Sequence, residues 1–211
     1  KEVLAFILVP AGHAGANKEL LHNLELPYQA VTSTDLYLTH YLNDSANDPV
    51  MNRIRAQKLR NSEEDKVKIF FVPSYLNGDD GVLNMPYYDL LVGMDLTAFP
   101  SYYEPWGYTP LESLAFKVPT ITTTLAGFGL WVKEHYNMNH PGIEVIHRED
   151  GDASNVATAI AEWVKNYTQV GETEMQKDRD NAKDVSRIAL WDNLINYYKQ
   201  AYTIALNQVS V

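Results

Sequence analysis

Three short apolar runs that each end at a proline place the strongest constraint on how this chain folds. They cover residues 3–9, 67–72 and 96–99, and the residues that follow them are Pro10, Pro73 and Pro100. The first run is continuous, rich in β-branched residues and shorter than a typical helix, which predicts a strand buried on both faces. Because proline has no amide hydrogen to give to a sheet, each strand is expected to end there.

Helix signals lie between and after these strands. Asp48 and Pro49 predict an N-cap and a first helical residue, for a helix that runs to about residue 60. Thr109 and Glu112 match a capping box, in which Thr109 would be the N-cap and Glu112 the third helical residue. The remaining predictions are strands at 120–124 and 142–147, helices at 86–92, from about 130 and from 153 onward with breaks near 171 and 191, and loops with short helices at 12–47.

Strands that alternate with helices predict an α/β fold, here a Rossmann-like parallel sheet with flanking helices. The 211 residues suffice for one large domain with a helical appendage. We expect residues 1–170 to form the Rossmann-like domain. Residues 171–211 are expected to add C-terminal helices that pack on this domain or on a neighbouring one.

Composition excludes several classes of protein. A formal net charge of −10 argues against a nucleic-acid partner, because such partners are bound mainly through cationic side chains. The chain has no cysteine, which excludes disulfides and thiolate metal sites and fits a cytoplasmic protein. The six histidines are scattered without the spacing of a metal site, and His13, beside a predicted strand end, is the candidate among them. No apolar run is long enough to span a membrane.

Two glutamates eight residues apart, Glu104 and Glu112, mark the candidate site. One lies in the turn after the third predicted strand, and the other lies in the first turn of the helix that follows. Right-handed crossovers bring the strand ends to one edge of a sheet, where open α/β folds bind their ligands. Two carboxylates beside a helix N-terminus suit a ligand that has both hydroxyl and phosphate groups, which describes a nucleotide sugar. Gly107, between them, would let such a ligand approach the backbone closely.

Purely structural interpretations stand beside these functional ones. Glu112 would serve as the third residue of the capping box, and Glu104 as a solvated loop acid. Gly127 and Gly129 precede a helix, where their amides would cradle a phosphate or simply belong to a glycine-rich turn.

Residues 99–113, FPSYYEPWGYTPLES, and the stretch TITTTLAGFG after them closely resemble the glycogen synthases of glycosyltransferase family 3. This is the eukaryotic-type family, of which some bacteria carry short forms. Residues 3–12 and 39–78 resemble the same family, so the likeness covers about residues 3–135 and continues more loosely through the terminal helices. Many retaining glycosyltransferases of the two-domain GT-B fold share the spacing of the two glutamates, but the EPWGYTP context is specific to this family.

The resemblance implies the C-terminal, nucleotide-binding half of a GT-B enzyme that transfers glucose from UDP-glucose to the non-reducing end of an α-1,4-glucan with retention. It implies that Glu104 holds sugar hydroxyls near the reacting carbon and that Glu112 binds the ribose. The residues between them that would contact glucose and diphosphate are Trp106, Gly107, Tyr108 and Thr109. Two further residues, Tyr75 and Tyr87, would flank the uracil, although each is otherwise explained as a half-buried aromatic. No metal or other cofactor is expected, because oriented amides and positive charge would stabilise the departing diphosphate.

The chain departs from the family pattern in two respects. The family's arginine and lysine for the diphosphate, and the acceptor-binding domain before them, lie upstream of the first matching strand. We therefore expect this chain to lack the first strand of its sheet, to reach an α-glucan acceptor only through the missing domain, and to transfer no glucose alone. An exposed apolar edge would favour a homo-oligomer. Residues 172–190 hold only Arg179 and Arg187, so we expect none of the glucose-6-phosphate activation that an arginine-rich helix gives animal and fungal members.

Two alternatives remain open at this point. The chain would also fit another retaining GT-B glycosyltransferase with a different sugar donor or acceptor, although the EPWGYTP context argues against it. From a different class, it would fit a non-catalytic Rossmann-like module that binds a carbohydrate or a nucleotide. The sequence contains no GxSxG, Walker A or GxGxxG motif that would point elsewhere.

Overall fold

A computed structural model of the chain describes residues 2–26, 37–136 and 142–209. Its contacts divide the chain into two compact units, residues 1–90 and 91–211. Both units combine helices with parallel strands, which confirms the predicted α/β class. Among the described helices, none has the length and hydropathy needed to cross a membrane.

The first unit contains one parallel and one antiparallel strand pair. Strand β1 (Val3–Leu8) runs parallel to β4 (Val67–Val72), as the apolar runs predicted. Strand β2 (His13–Ala16) pairs antiparallel with β3 (His40–Leu42), in a region predicted to hold loops and short helices. These strands have only four and three residues, too few to show an alternating pattern. Residues 27–36 of that region lie outside the described part of the chain.

Helices of the first unit are α1 (Lys18–Leu24), α2 (Pro49–Ala56) and the short α3 (Tyr87–Leu91), which ends one residue beyond the unit. The predicted N-cap of α2 is confirmed, since the Asp48 carboxylate accepts a 2.8 Å hydrogen bond from the Met51 amide. The helix ends at Ala56 rather than near residue 60. Its Met51 and Ile54 are buried against Phe71 of β4 and form the core of this unit.

The second unit carries three parallel strands in the order β5 (Thr97–Ala98), β6 (Thr120–Thr123) and β7 (Ile143–Ile146). Its helices are α4 (Tyr108–Ala115), α5 (Gly127–His135), α6 (Ala153–Tyr167), α7 (Glu172–Arg187) and α8 (Trp191–Val209). The breaks predicted near residues 171 and 191 therefore fall between helices. A core of Leu114, Phe128 and Val132 is closed by Val185, which α7 brings against α4.

The start of α4 differs from the sequence prediction. The helix begins at Tyr108 and its N-cap is Gly107, so the predicted capping box of Thr109 and Glu112 is wrong. The physical reason is the backbone of Gly107, whose φ of 114° lies in the left-handed region that glycine adopts without strain. Thr109 and Glu112 thus lie inside the helix, and the structural role proposed for Glu112 no longer applies. Similarly, α5 begins at Gly127 rather than near residue 130.

Candidate functional site

Glu104 is anchored in the turn between β5 and α4. Its amide donates a 3.0 Å hydrogen bond to the carbonyl oxygen of Leu125, and its own carbonyl accepts one of 3.0 Å from the Gly127 amide. Together these bonds make Glu104 an isolated parallel bridge partner of Ala126. The half-buried side chain accepts a third hydrogen bond, of 3.0 Å, from the Ser101 hydroxyl. Glu104 is therefore a fixed carboxylate rather than a mobile loop acid.

The two glycines at the start of α5 allow this anchoring. A Cβ atom at Gly127 would overlap the carbonyl oxygen of Pro105, and one at Gly129 would overlap the carbonyl oxygen of Thr123. The Gly127 amide is bonded to Glu104, and the Phe128 amide donates a 2.6 Å hydrogen bond to the Trp106 carbonyl. The first amides of α5 are thus occupied by the turn, and the glycines bring two backbones into contact.

The N-terminus of α4 is arranged differently. Gly107 offers no side chain as a cap, and Pro110 has no amide hydrogen. Within the described part of the chain, the amides of Tyr108 and Thr109 have no hydrogen-bond partner. Both residues are exposed, with Tyr108 69 % accessible. Unsatisfied amides and the helix dipole give this end a partial positive charge, which suits an anion.

The side chains of Glu112 and Trp106 have contrasting environments. Glu112 is half-buried, and its carboxylate makes no hydrogen bond or ion pair with any described residue. It lies four residues after Tyr108 and hence on the same face of α4. The Trp106 ring packs edge-on to Phe128 at 5.7 Å and lies 6.0 Å from Trp131, so it belongs to the apolar core. Trp106 therefore offers the site its backbone rather than its ring.

Tyr75 and Tyr87 lie in the first unit. Tyr75 is 77 % exposed and borders an open cavity of about 490 Å³. Tyr87 begins α3, and its amide donates a 3.0 Å hydrogen bond to the Leu76 carbonyl, which joins the two tyrosine-bearing segments. The other residues around the cavity are Pro10, Ala11, Gly12, His13, Asn43 and Pro73.

His13, the histidine that the sequence singled out, lies at this cavity. Its ring packs edge-on to that of His40, with 4.7 Å between centroids. Burial, and to a lesser degree the neighbouring His40, lowers the pKa of His13 below its ordinary value. Within the described residues, no group of three or more acidic or histidine side chains is placed to hold a metal ion.

The sequence placed Ser101 and Arg148 among the groups at the strand ends but indicated no role for either of them near Glu104. Ser101 bonds its carboxylate, and Arg148, at the end of β7, is almost completely buried beneath the same turn. A serine three residues before an acid is a weak local signal for the first contact. No sequence signal indicated the contacts of Arg148, because an arginine after a strand ordinarily points to solvent.

Comparisons with known proteins agree with the motif in the turn. A sequence model described as glycogen synthase matches residues 20–210. The chain is 31 % identical over 174 residues to glycogen [starch] synthase isoform 1 of Saccharomyces cerevisiae, covering 81 % of this chain and 25 % of that protein. It is 34 % identical over 167 residues to glycogen [starch] synthase of Caenorhabditis elegans, covering 78 % and 25 %. It is 31 % identical over 171 residues to the liver glycogen [starch] synthase of Mus musculus, covering 81 % of this chain and 24 % of that protein. The chain spans about a quarter of the length of these relatives.

Proposed function

This chain belongs to the glycogen synthase family, and from that membership we propose that it is the part of a retaining glucosyltransferase that binds the sugar donor. The donor is UDP-glucose, and glucose passes to the non-reducing end of an α-1,4-glucan. The fold is then the C-terminal half of a GT-B enzyme. The observation that carries this proposal is the pairing of a fixed carboxylate, Glu104, with the uncapped N-terminus of α4 four residues later.

Each part of that turn has a role in the proposal. The diphosphate lies at the amides of Tyr108 and Thr109, which have no described partner. Glu112, on the same face of α4, accepts hydrogen bonds from the ribose hydroxyls. Glu104 accepts hydrogen bonds from the glucose hydroxyls and keeps the reacting carbon in place. Gly107 brings the backbone close to the ligand, since a side chain there would be strained.

The diphosphate leaves as the glucose bond breaks, so stabilisation of its growing charge is the main catalytic requirement. The amides of α4 supply oriented partial charge, and no metal is needed for this step. Gly127 and Gly129 act indirectly, because their close packing holds Glu104 and Pro105 in position.

The proposal includes two further expectations. Both arginines of α7 already pair with carboxylates, Arg179 with Asp95 and Arg187 with Asp184, each at 2.9 Å. We therefore expect no activation by glucose-6-phosphate, and a several-fold rise in rate with that sugar phosphate would contradict this. We also expect the 211-residue chain alone to transfer no glucose, which measurable glycogen elongation would contradict. A screen of nucleotide sugars separates UDP-glucose from the sugar donors of other GT-B enzymes.

Saturation-transfer NMR of the chain with UDP tests the proposal. We expect a signal from wild type and a Kd about tenfold higher for Glu112→Ala, because a hydrogen-bonded carboxylate is lost. Glu162→Ala, which removes an exposed carboxylate from α6, is the matched control and should bind as wild type does. Equal Kd values for wild type and both variants would contradict the proposal that the nucleotide binds at Glu112.

A further inference from the structure

Arg148 is the most deeply buried cation among the described residues of the second unit. It lies two residues after β7, the last strand in the order β5, β6 and β7. The residue is only 4 % exposed. Within the described residues it has no carboxylate partner. Two backbone carbonyls accept hydrogen bonds from its Nη1 atom instead, Pro100 at 2.6 Å and Ser101 at 3.3 Å. The ring of Tyr102 covers the guanidinium at 3.7 Å.

Burying an arginine without a carboxylate partner costs free energy, because the guanidinium loses its hydration. The carbonyls that replace this water must therefore be held in fixed positions. The backbone of Arg148 is fixed to the residue after β6, since its amide donates a 2.9 Å hydrogen bond to the Thr124 hydroxyl. The Ser101 carbonyl receives a further hydrogen bond of 3.1 Å from the Thr123 hydroxyl. Arg148 thus joins the end of β7 to the three-residue segment Pro100, Ser101 and Tyr102.

That segment leads directly to Glu104. The Ser101 hydroxyl donates a 3.0 Å hydrogen bond to Oε2 of the Glu104 carboxylate. The same Ser101 carries the carbonyl that Arg148 holds, so the orientation of its hydroxyl depends on the guanidinium. A two-step path through Ser101 therefore connects the buried cation after β7 to the carboxylate in the turn after β5.

We propose that Arg148 is a positioning residue, which fixes the Glu104 carboxylate through Ser101 so that it meets the sugar of the bound nucleotide. The guanidinium does not touch the ligand. The guanidinium suits the task, because its Nη1 atom bonds two carbonyls while its Cζ atom lies over the Tyr102 ring, 3.7 Å from the centroid. The inference rests on the proposed function only in assigning the sugar to Glu104.

A measurement without ligand tests the positioning itself. In Arg148→Met, which keeps an apolar stem but removes both hydrogen bonds, we expect hydrogen exchange at the Ser101 and Glu104 amides to be at least about fivefold faster than in wild type. Exchange at Thr120, at the far end of β6, should be unchanged. Arg187→Met, an exposed arginine of α7, is the matched control. Unchanged exchange at Ser101 and Glu104, or equal acceleration at Thr120, would overturn the inference. Arg148→Lys replaces Arg148→Met if the latter does not fold.

Binding of two ligands then tests the consequence for the sugar. We expect Arg148→Met and Ser101→Ala each to raise the Kd for UDP-glucose about three- to tenfold, with the Kd for UDP changed less than about twofold. Because both act through one path, the double variant should lose no more than the weaker-binding single variant. Equal loss of UDP and UDP-glucose would mean a general structural role and would overturn the inference. Wild type that binds neither ligand would contradict the proposed function instead, and the exchange measurement would still decide the role of Arg148.

Discussion

The amide of Gly127 donates a hydrogen bond of 3.0 Å to the carbonyl oxygen of Glu104, and this bond ties the first residue of α5 to the turn before α4. The bond forms because Gly127 has no side chain. A Cβ atom there would overlap the carbonyl oxygen of Pro105, the residue after Glu104. The backbone position of Glu104 is therefore set by a contact between two backbones.

Substitution of Gly127 should break this contact. We expect Gly127→Ala to lower the free energy of unfolding by about 3 kcal/mol, because the obstacle is a backbone atom that cannot rotate away. Urea unfolding measures the change. Gly171→Ala is the control, since a Cβ atom there meets nothing within 4 Å and should cost less than about 1 kcal/mol. Equal effects of the two substitutions would show that the turn is looser than described.

The start of α4 gives a second prediction. Thr109 lies inside the helix and caps nothing, so Thr109→Ala should change the free energy of unfolding by less than about 0.5 kcal/mol. Asp48 is a true N-cap of α2, and Asp48→Ala should cost about 1 kcal/mol. Thermal unfolding of both variants makes the comparison. A larger loss for Thr109→Ala would restore the capping box that the sequence predicted.

Local signals that depend on one residue type were sufficient for much of the fold. Pro10, Pro73 and Pro100 predicted where three strands end, because proline cannot continue a sheet, and Asp48 predicted the start of α2. The prediction failed at Thr109, where a valid capping motif was overridden by Gly107 two residues earlier. Glycine permits a conformation but does not require it, so its effect depends on what surrounds it.

The sequence indicated the residues of the candidate site but not the contacts that hold them. The glutamate spacing and its context indicated Glu104 and Glu112 from the sequence alone. What holds Glu104 comes from positions distant in sequence, such as Gly127 and Arg148, whose contacts form only once β5, β6 and β7 lie side by side. Periodicity and capping rules describe neighbours along the chain and contain no information about these contacts.

Stability should depend on pH through a pair of aspartates on α7. Burial, and then repulsion from Glu174, raises the pKa of Asp178, which is 3 % exposed, above 3.8. The folded state therefore keeps this proton longer than the unfolded state, and stability falls as pH rises from 3.8 through the raised pKa. Asp178→Asn should be more stable than wild type at pH 7, with the difference vanishing below about pH 3.8.

Asp180, two residues along the same helix, is the control with the opposite sign. Its hydrogen bond from Lys117 lowers the pKa of Asp180 below 3.8, so its contribution is present at neutral pH and is lost as pH falls through the lowered pKa. Asp180→Asn should thus slightly lower stability at pH 7. Melting temperatures of wild type and both variants, measured from about pH 3 to about pH 7 so that the range includes ordinary carboxyl titration, test the two predictions. The same direction for both variants would contradict the assignment.

The packing of the terminal helix α8 on α5 should depend on Tyr197. Tyr197 packs edge-on to Trp131 at 5.4 Å, and its hydroxyl lies 3.3 Å from Nε2 of His135, which attaches α8 to α5. Tyr197→Ala should lower stability by about 1–2 kcal/mol and speed amide exchange in α8. Tyr202, 62 % exposed and in ring contact with Tyr198 of its own helix, is the control. Comparable exchange in Tyr197→Ala and Tyr202→Ala would mean that α8 is held elsewhere.

The central claim is that the turn from Glu104 to Glu112 binds a nucleotide sugar, and titration of the ¹⁵N-labelled chain with UDP-glucose tests it most directly. We predict that the largest amide shift changes occur at Tyr108 and Thr109, whose amides have no described partner, and that Glu112 follows them. UDP alone should reproduce these changes, whereas the change at Glu104 should need the sugar. A folded chain that shows no change from Glu104 to Glu112, or changes confined to other regions, would contradict the account.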